Sequence, residues 1–184
     1  MKKTLIVILA VIVVVALYAV VAYNGLVSLN VAADTQWKQV ESQYQRRFDL
    51  IPNLVESVKG VMTQEQKVFG DIADARTKYS GAVTADEKAA AASQVESALG
   101  RLLVITENYP TLKSSEAVQS LMTQLEGTEN RISTERMRFN QSVQAYNLKV
   151  MRFPSSVMAS LFGFGERQYF NATPGAENAP AVKF

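Results

Sequence analysis

Four glutamates, Glu107, Glu126, Glu129 and Glu135, and three arginines, Arg47, Arg131 and Arg136, are the side chains whose types and spacing could do chemistry in this chain. Carboxylates gathered from facing helices hold paired metal ions in some helical bundles. Those sites also draw on a Glu-x-x-His motif from two of the helices, and this sequence has no histidine. It has no cysteine either, which removes disulfides, thiolate chemistry and every Cys/His metal site. Without imidazole the commonest general acid and base is missing too. Ser, Thr, Lys, Asp, Glu and Tyr remain, and no nucleophile motif or loop of convergent polar residues organises them into an enzyme. The reading is therefore no catalytic residue, no cofactor-binding residue, no metal site and no cofactor. Arg47, Arg131 and Arg136, with Glu107 and Glu129, read instead as interhelical ion pairs near a seam, because an unpaired buried charge is costly. A contact with a partner protein is the alternative.

The elements that position these residues begin with "TLIVILAVIVVVALYAVVAY", which follows Met1-Lys2-Lys3; no charged residue occurs from Thr4 to Ala33. About 20 apolar residues cross the hydrocarbon core as a helix. A cleavable signal peptide also starts basic and turns apolar, but its apolar core is shorter, roughly 7–15 residues, and ends in small residues. Here the run continues through Tyr18, Val20, Val21 and Tyr23, which favours a retained anchor. Lys2 and Lys3 precede the span and the next basic residue is Lys38, so the positive-inside rule places the N-terminus in the cytoplasm and the rest outside it. Setting aside those two lysines from 19 basic residues leaves 17 against 17 acidic ones. The exported part is neutral, which gives no electrostatic case for nucleic acid.

Past the span the pattern is helical almost throughout. Ala33, Trp37, Val40 and Tyr44 form one stripe, and Leu54, Val58, Val61, Val68, Ile72 and Ala75 form another. "YSGAVTADE" interrupts at Gly81, and Thr84 with Glu87 has the spacing of a capping box that opens a third helix with Val95, Leu99, Leu102 and Ile105 inward. "NYPTLKSSE" stops it at Pro110. A fourth helix runs from about Ser115 to Phe153, its stripe Val118, Leu121, Leu125, Ile132, Phe139, Val143, Tyr146, Val150 and Phe153 close to a heptad repeat. No strand signal of useful length and no repeat is present. Pro52, inside "RRFDLIPNLVESVKG", either kinks one rod or starts a new helix with Asp49 as N-cap. The helix lengths favour reversal near Pro52, because the long fourth helix then returns beside the first and Trp37 meets Phe139 and Val143.

"RRFDLIPNLV" at 46–55, "ENYPTLK" at 107–113, "TENRI" at 128–132, "FN" at 139–140, "YN" at 146–147 and "FP" at 153–154 resemble, in that order, the LemA family of bacteria. The likeness covers roughly residues 20–170. Phe139 stands where that family's pair has tyrosine. The resemblance implies a four-helix bundle on a single-pass anchor, in a family without an agreed biochemical activity, some of whose relatives take part in making magnetosome membranes. No catalytic residues carry over from it.

The expected fold is all-α: an N-terminal transmembrane helix followed by an antiparallel up-and-down four-helix bundle with long coiled-coil-like helices. Its expected parts are a cytoplasmic N-terminus at 1–3, the transmembrane helix at 4–24, the bundle at 25–153, an aromatic-rich segment at 154–170 and a disordered tail at 171–184. Phe162, Phe164, Tyr169 and Phe170 suit a membrane interface or a subunit contact; packing on the base of the bundle is the plain alternative. The expected role is a membrane-anchored helical scaffold or interaction protein of the bacterial inner membrane, with the bundle on the periplasmic or extracellular side. Its expected partners are the lipid bilayer, further copies of itself and other envelope proteins, and no nucleic acid. An accessory subunit that positions a neighbouring envelope enzyme or protease is the second reading, and an enzyme using Ser/Lys or carboxylates the third.

Overall fold

In the computed structural model, which describes residues 2–62 and 66–170, α1 runs from Lys2 to Lys59 with Pro52 inside it. The expected reversal at Pro52 is thus corrected. A proline in a helix interior removes one hydrogen bond and crowds the preceding turn, at a cost of about 3 kcal/mol. On either side of it Tyr44, Phe48, Ile51, Leu54 and Val58 are all buried on one face, while Pro52 is exposed. Burying each large apolar side chain is worth roughly 1.5–3 kcal/mol, so a stripe that stays in phase outweighs one lost bond. The helix stops at Gly60 instead. There the Val61 and Met62 amides both donate to the Val58 carbonyl, at 3.1 and 2.9 Å, and satisfy an acceptor the helix end would orphan.

The remaining helices are α2 (Gln66–Gly81), α3 (Ala85–Thr106), the single turn α4 (Pro110–Lys113), α5 (Glu116–Met151) and α6 (Ser155–Leu161). The capping box at the start of α3 forms as its spacing predicts: the Glu87 amide donates to Thr84 Oγ1 at 3.2 Å, and the Thr84 amide donates back to the Glu87 carboxylate at 3.1 Å. Pro110 does more than stop α3. It occupies the start of α4, where its missing N–H costs nothing.

The chain forms two compact units. One takes Gln39–Arg136 with Phe170, and in it four helices alternate in direction. Lys78 reaches Gln94 and Asp71 reaches Arg101, both at 3.1 Å, so α2 and α3 run antiparallel. Tyr79, at the end of α2, packs on Tyr44 and Phe48, so α2 returns along α1. Arg136 meets Tyr44 and Glu129 meets Arg47, so α5 descends beside ascending α1. The up-and-down bundle is therefore present, with its first reversal between Gly60 and α2 and not at Pro52.

The other unit takes the residues up to Lys38 together with Met137–Tyr169. Here α1 and α5 again run side by side. Trp37 stands edge-on to Phe139 with ring centroids 5.3 Å apart, the pairing expected from the stripe although the chain reaches it by a different turn. Ala22, Leu26 and Ala33 face in from α1, and Val143, Tyr146 and Asn147 from α5. Phe153, expected inward, is 83% exposed, because α5 ends at Met151 and the chain turns through Pro154 into α6. The expected disordered tail, 171–184, lies outside the described residues.

Candidate functional site

Two polar constructions stand out, one in each unit. In the bundle unit, Arg47 is buried, and its guanidinium donates to the Glu129 carboxylate and, from Nε, to Thr128 Oγ1 at 3.4 Å. Thr128 fills a stripe position on α5 and spends its own proton on the Leu125 carbonyl, 2.7 Å away. Arg136, about one turn beyond Ile132, donates from Nε to the Tyr44 hydroxyl at 3.0 Å and from its terminal nitrogen to Glu96 at 3.2 Å. Its guanidinium also lies over two rings, 5.5 Å from the Tyr44 centroid and 4.5 Å from that of Phe170.

The two carboxyls hydrogen-bond one another between these arginines, and their acidities split. Burial, followed by the bond to Glu129, holds Glu96 above the ordinary carboxyl range even though Arg136 pulls the other way. Burial pushes Glu129 up as well, but the bonds from Glu96 and Arg47 outweigh it and leave Glu129 below the ordinary range. Of the two, Glu96 is therefore the one that takes up a proton first as pH falls, and Glu129 the one that stays ionised longest. Burial raises the Tyr44 phenol, Arg136 only partly offsetting it, so Tyr44 accepts the arginine's bond as a neutral hydroxyl. Such a cluster ties α1, α3 and α5 together.

The sequence-predicted charges divide accordingly. Arg47, Glu129 and Arg136 come together; Arg131, Glu107 and Glu126 stand exposed outside the cluster. Glu135 is half-buried, immediately before Arg136 in α5. Among the described residues no three carboxylates gather in a way that could hold a metal ion. Glu96 is the participant that sequence reasoning missed. The available signal was its place beside Val95 and Leu99 on the inward edge of α3, where a carboxylate needs a partner.

The second construction follows α6. Gly163 adopts φ +73°, the left-handed turn that glycine takes most easily, and the Phe164 amide donates to the Ala159 carbonyl at 2.9 Å to close the helix. Residues 164–167 are then fastened by α5. Tyr146 donates to the Gly165 carbonyl at 3.0 Å, and Asn147 both donates to the Arg167 carbonyl at 2.8 Å and accepts from the Arg167 amide at 2.9 Å. The Arg167 side chain crosses to α1, reaching Asn30 Oδ1 at 2.8 Å and Asp34 at 2.6 Å. Phe162 and Phe164 pack edge-on against Tyr23, with centroids at 4.9 and 5.8 Å. A lone arginine in an aromatic stretch gave no sequence signal for a mate more than a hundred residues away.

With these motif residues placed, the sequence model of the LemA family matches residues 36–184. The chain belongs to the LemA family. Among its relatives is the magnetosome protein MamQ of Magnetospirillum gryphiswaldense, 27% identical over 84% of this chain and 66% of that protein. Two more are the magnetosome proteins MamQ 2 and MamQ 1 of Paramagnetospirillum magneticum, each 26% identical over the same shares. The chain spans 66% of the length of the relatives it matches. For this LemA protein the family's stretches acquire physical roles. "TENRI" supplies Thr128 and Glu129 to the charged cluster, "RRFDLIPNLV" supplies Arg47, and "YN" is the Tyr146–Asn147 clasp on residues 165–167.

Proposed function

We propose that this protein is a non-catalytic helical scaffold, held by its first helix in the bacterial inner membrane and self-associating there. One observation carries the reading. The apolar run of α1 is long enough to cross a bilayer, almost none of it is buried within the protein, and it continues without a break into a bundle helix. A helix whose apolar surface is exposed all round needs lipid to cover it. The cluster's groups are spent on one another, which suits holding helices together better than turning over a substrate. The likeness to magnetosome proteins supports a part in organising a membrane. Lys2 and Lys3 support a single pass with the N-terminus in the cytoplasm and the bundle outside.

The chain has no cysteine, so one placed at Ser142 is a clean probe of this proposal. In intact spheroplasts a membrane-impermeant bis-maleimide should link Ser142→Cys chains into dimers. Full-length protein in mild detergent should likewise show a scattering mass above that of a monomer. Reaction only after lysis would reverse the orientation, and monomers in both experiments would remove self-association.

A further inference from the structure

The anchor and the segment after α5 meet at a definite level. Tyr23 is the last residue of the apolar run that starts at Thr4, and it is the residue that Phe162 and Phe164 pack against. A helix of about 20 residues rises roughly 30 Å, the thickness of the hydrocarbon core. Tyr23 therefore lies where aromatic rings gather at a membrane boundary. The short helix α6 sits beside it, in the same compact unit.

The two faces of α6 differ. Ser155 and Ala159, four residues apart, are buried; Ser155 Oγ lies 2.6 Å from the Lys149 carbonyl and 2.8 Å from that of Arg152, fastening the turn. Phe153 just before the helix, Val157 and Leu161 on its other side, and Phe162 just after it are all exposed. Their exposures are 83%, 46%, 70% and 55%. Water-facing positions in a seven-residue helix would ordinarily be polar. Two cations lie near by: Arg152, exposed, adjoins Phe153 in the chain, and Lys149, in the last turn of α5, lies across α1 just past the span, its Cε 3.5 Å from the Cβ position of Gly25. An exposed apolar surface level with the end of a transmembrane helix, with two long-stemmed cations close to that level, matches the acyl–headgroup boundary of a bilayer.

We propose that α6 rests on the same bilayer that α1 crosses. Phe153, Val157, Leu161 and Phe162 enter the acyl boundary, and Lys149 and Arg152 lie among the phosphates. The protein then holds its membrane at two points on one leaflet, through the span and through this foot. The inference rests on the anchor proposed above, and its test separates the two. Nitroxide labels on single cysteines at Leu161, Val14 and Gln144 are read in full-length protein reconstituted into phosphatidylcholine–phosphatidylglycerol vesicles. Leu161 is exposed, so its replacement disturbs no packing.

At Leu161→Cys the ratio of collisions with oxygen to collisions with a water-soluble nickel chelate should be several-fold above that at Gln144→Cys. It should change in the same sense as at Val14→Cys. A nickel-accessible label at 161 with a lipid-like one at 14 overturns the foot and leaves the anchor standing. A label at 161 shielded from both reagents and broadened by a neighbouring spin assigns the face to a second copy of the chain, which also overturns it. Nickel access at 14 removes the anchor itself.

Discussion

In the cluster around Arg47, charged side chains from three helices satisfy one another. In the segment after α6, side chains on regular helices satisfy the backbone of an irregular stretch. Both bury polar groups, which is tolerated only when those groups are paired. The cluster's partners, Arg47 with Glu129 and Arg136 with Glu96, sit on different helices of the bundle unit. Removing one leaves its mate charged and poorly hydrated. In the clasp, Asn147 replaces the missing strand partner of Arg167, matching its amide and its carbonyl together. Losing it frees a short stretch of chain and leaves no charge stranded. A failure in the first region should therefore spread through the bundle, and a failure in the second should stay local.

The largest effect should follow from breaking the cluster. Arg47→Met strands the half-buried Glu129 and leaves Thr128 without its donor, an expected loss of about 3 kcal/mol, the low end for a broken buried pair because water still reaches Glu129. Adding Glu129→Leu should recover much of that loss, since two apolar residues substitute well for a buried pair. Asn147→Ala removes two hydrogen bonds, worth roughly 0.5–1.5 kcal/mol each. It should speed hydrogen exchange at the amides of residues 164–167 and leave the bundle's midpoint nearly unchanged. Urea unfolding of the full-length chain in mild detergent, followed by circular dichroism and by exchange, reads both. A global loss from Asn147→Ala as large as that from Arg47→Met would erase the distinction.

A second comparison lies within α1, between the stripe and the proline that interrupts its hydrogen bonds. Because Pro52 is exposed inside a continuous helix, Pro52→Ala restores a donor without disturbing the packing. The expected change is a gain of about 1–3 kcal/mol, seen as a higher urea midpoint. A change within a few tenths would mean that the helix starts anew at Pro52.

That proline shows where the sequence was legible and where it misled. The stripes of α2, α3 and α5 and the Thr84–Glu87 box were readable because each rests on neighbours three or four residues apart. The four alternating helices followed from them. The first reversal was misplaced because Pro52 is a strong local signal, and the real end of α1, past Lys59, offers only Gly60. The phase of Ile51, Leu54 and Val58 was the better guide. In the cluster, Arg47 with Glu129 could be anticipated from charges near a seam. Glu96 could not be chosen over Glu107 as the mate of Arg136, since that depends on the relative height of α3 and α5. The clasp was invisible for the same reason: Asn147 and Arg167 are ordinary surface residues until the chain folds back.

The smallest effect, and the sharpest for the cluster, is its response to pH. Glu129 is held below the ordinary carboxyl value of 4.5. It therefore contributes stability that is present above that value and lost as pH falls through the folded-state value. Glu96 is held above 4.5, so its contribution is present at low pH and lost as pH rises through its own folded-state value. The two slopes oppose each other, and together they place the pair's greatest contribution near the ordinary carboxyl value, with a decline on both sides. Glu96→Gln keeps a hydrogen-bond donor toward Glu129 and cannot ionise. It should abolish the decline on the alkaline side and leave the acid side in place. Midpoints of urea unfolding across the acid-to-neutral range, for the full-length chain and for Glu96→Gln, measure the two limbs separately. Parallel curves for the two proteins would show that Glu96 ionises as an ordinary surface carboxylate. In that case the Arg136–Glu96 ion pair, without a contribution from a raised Glu96 pKa, holds α3 to α5.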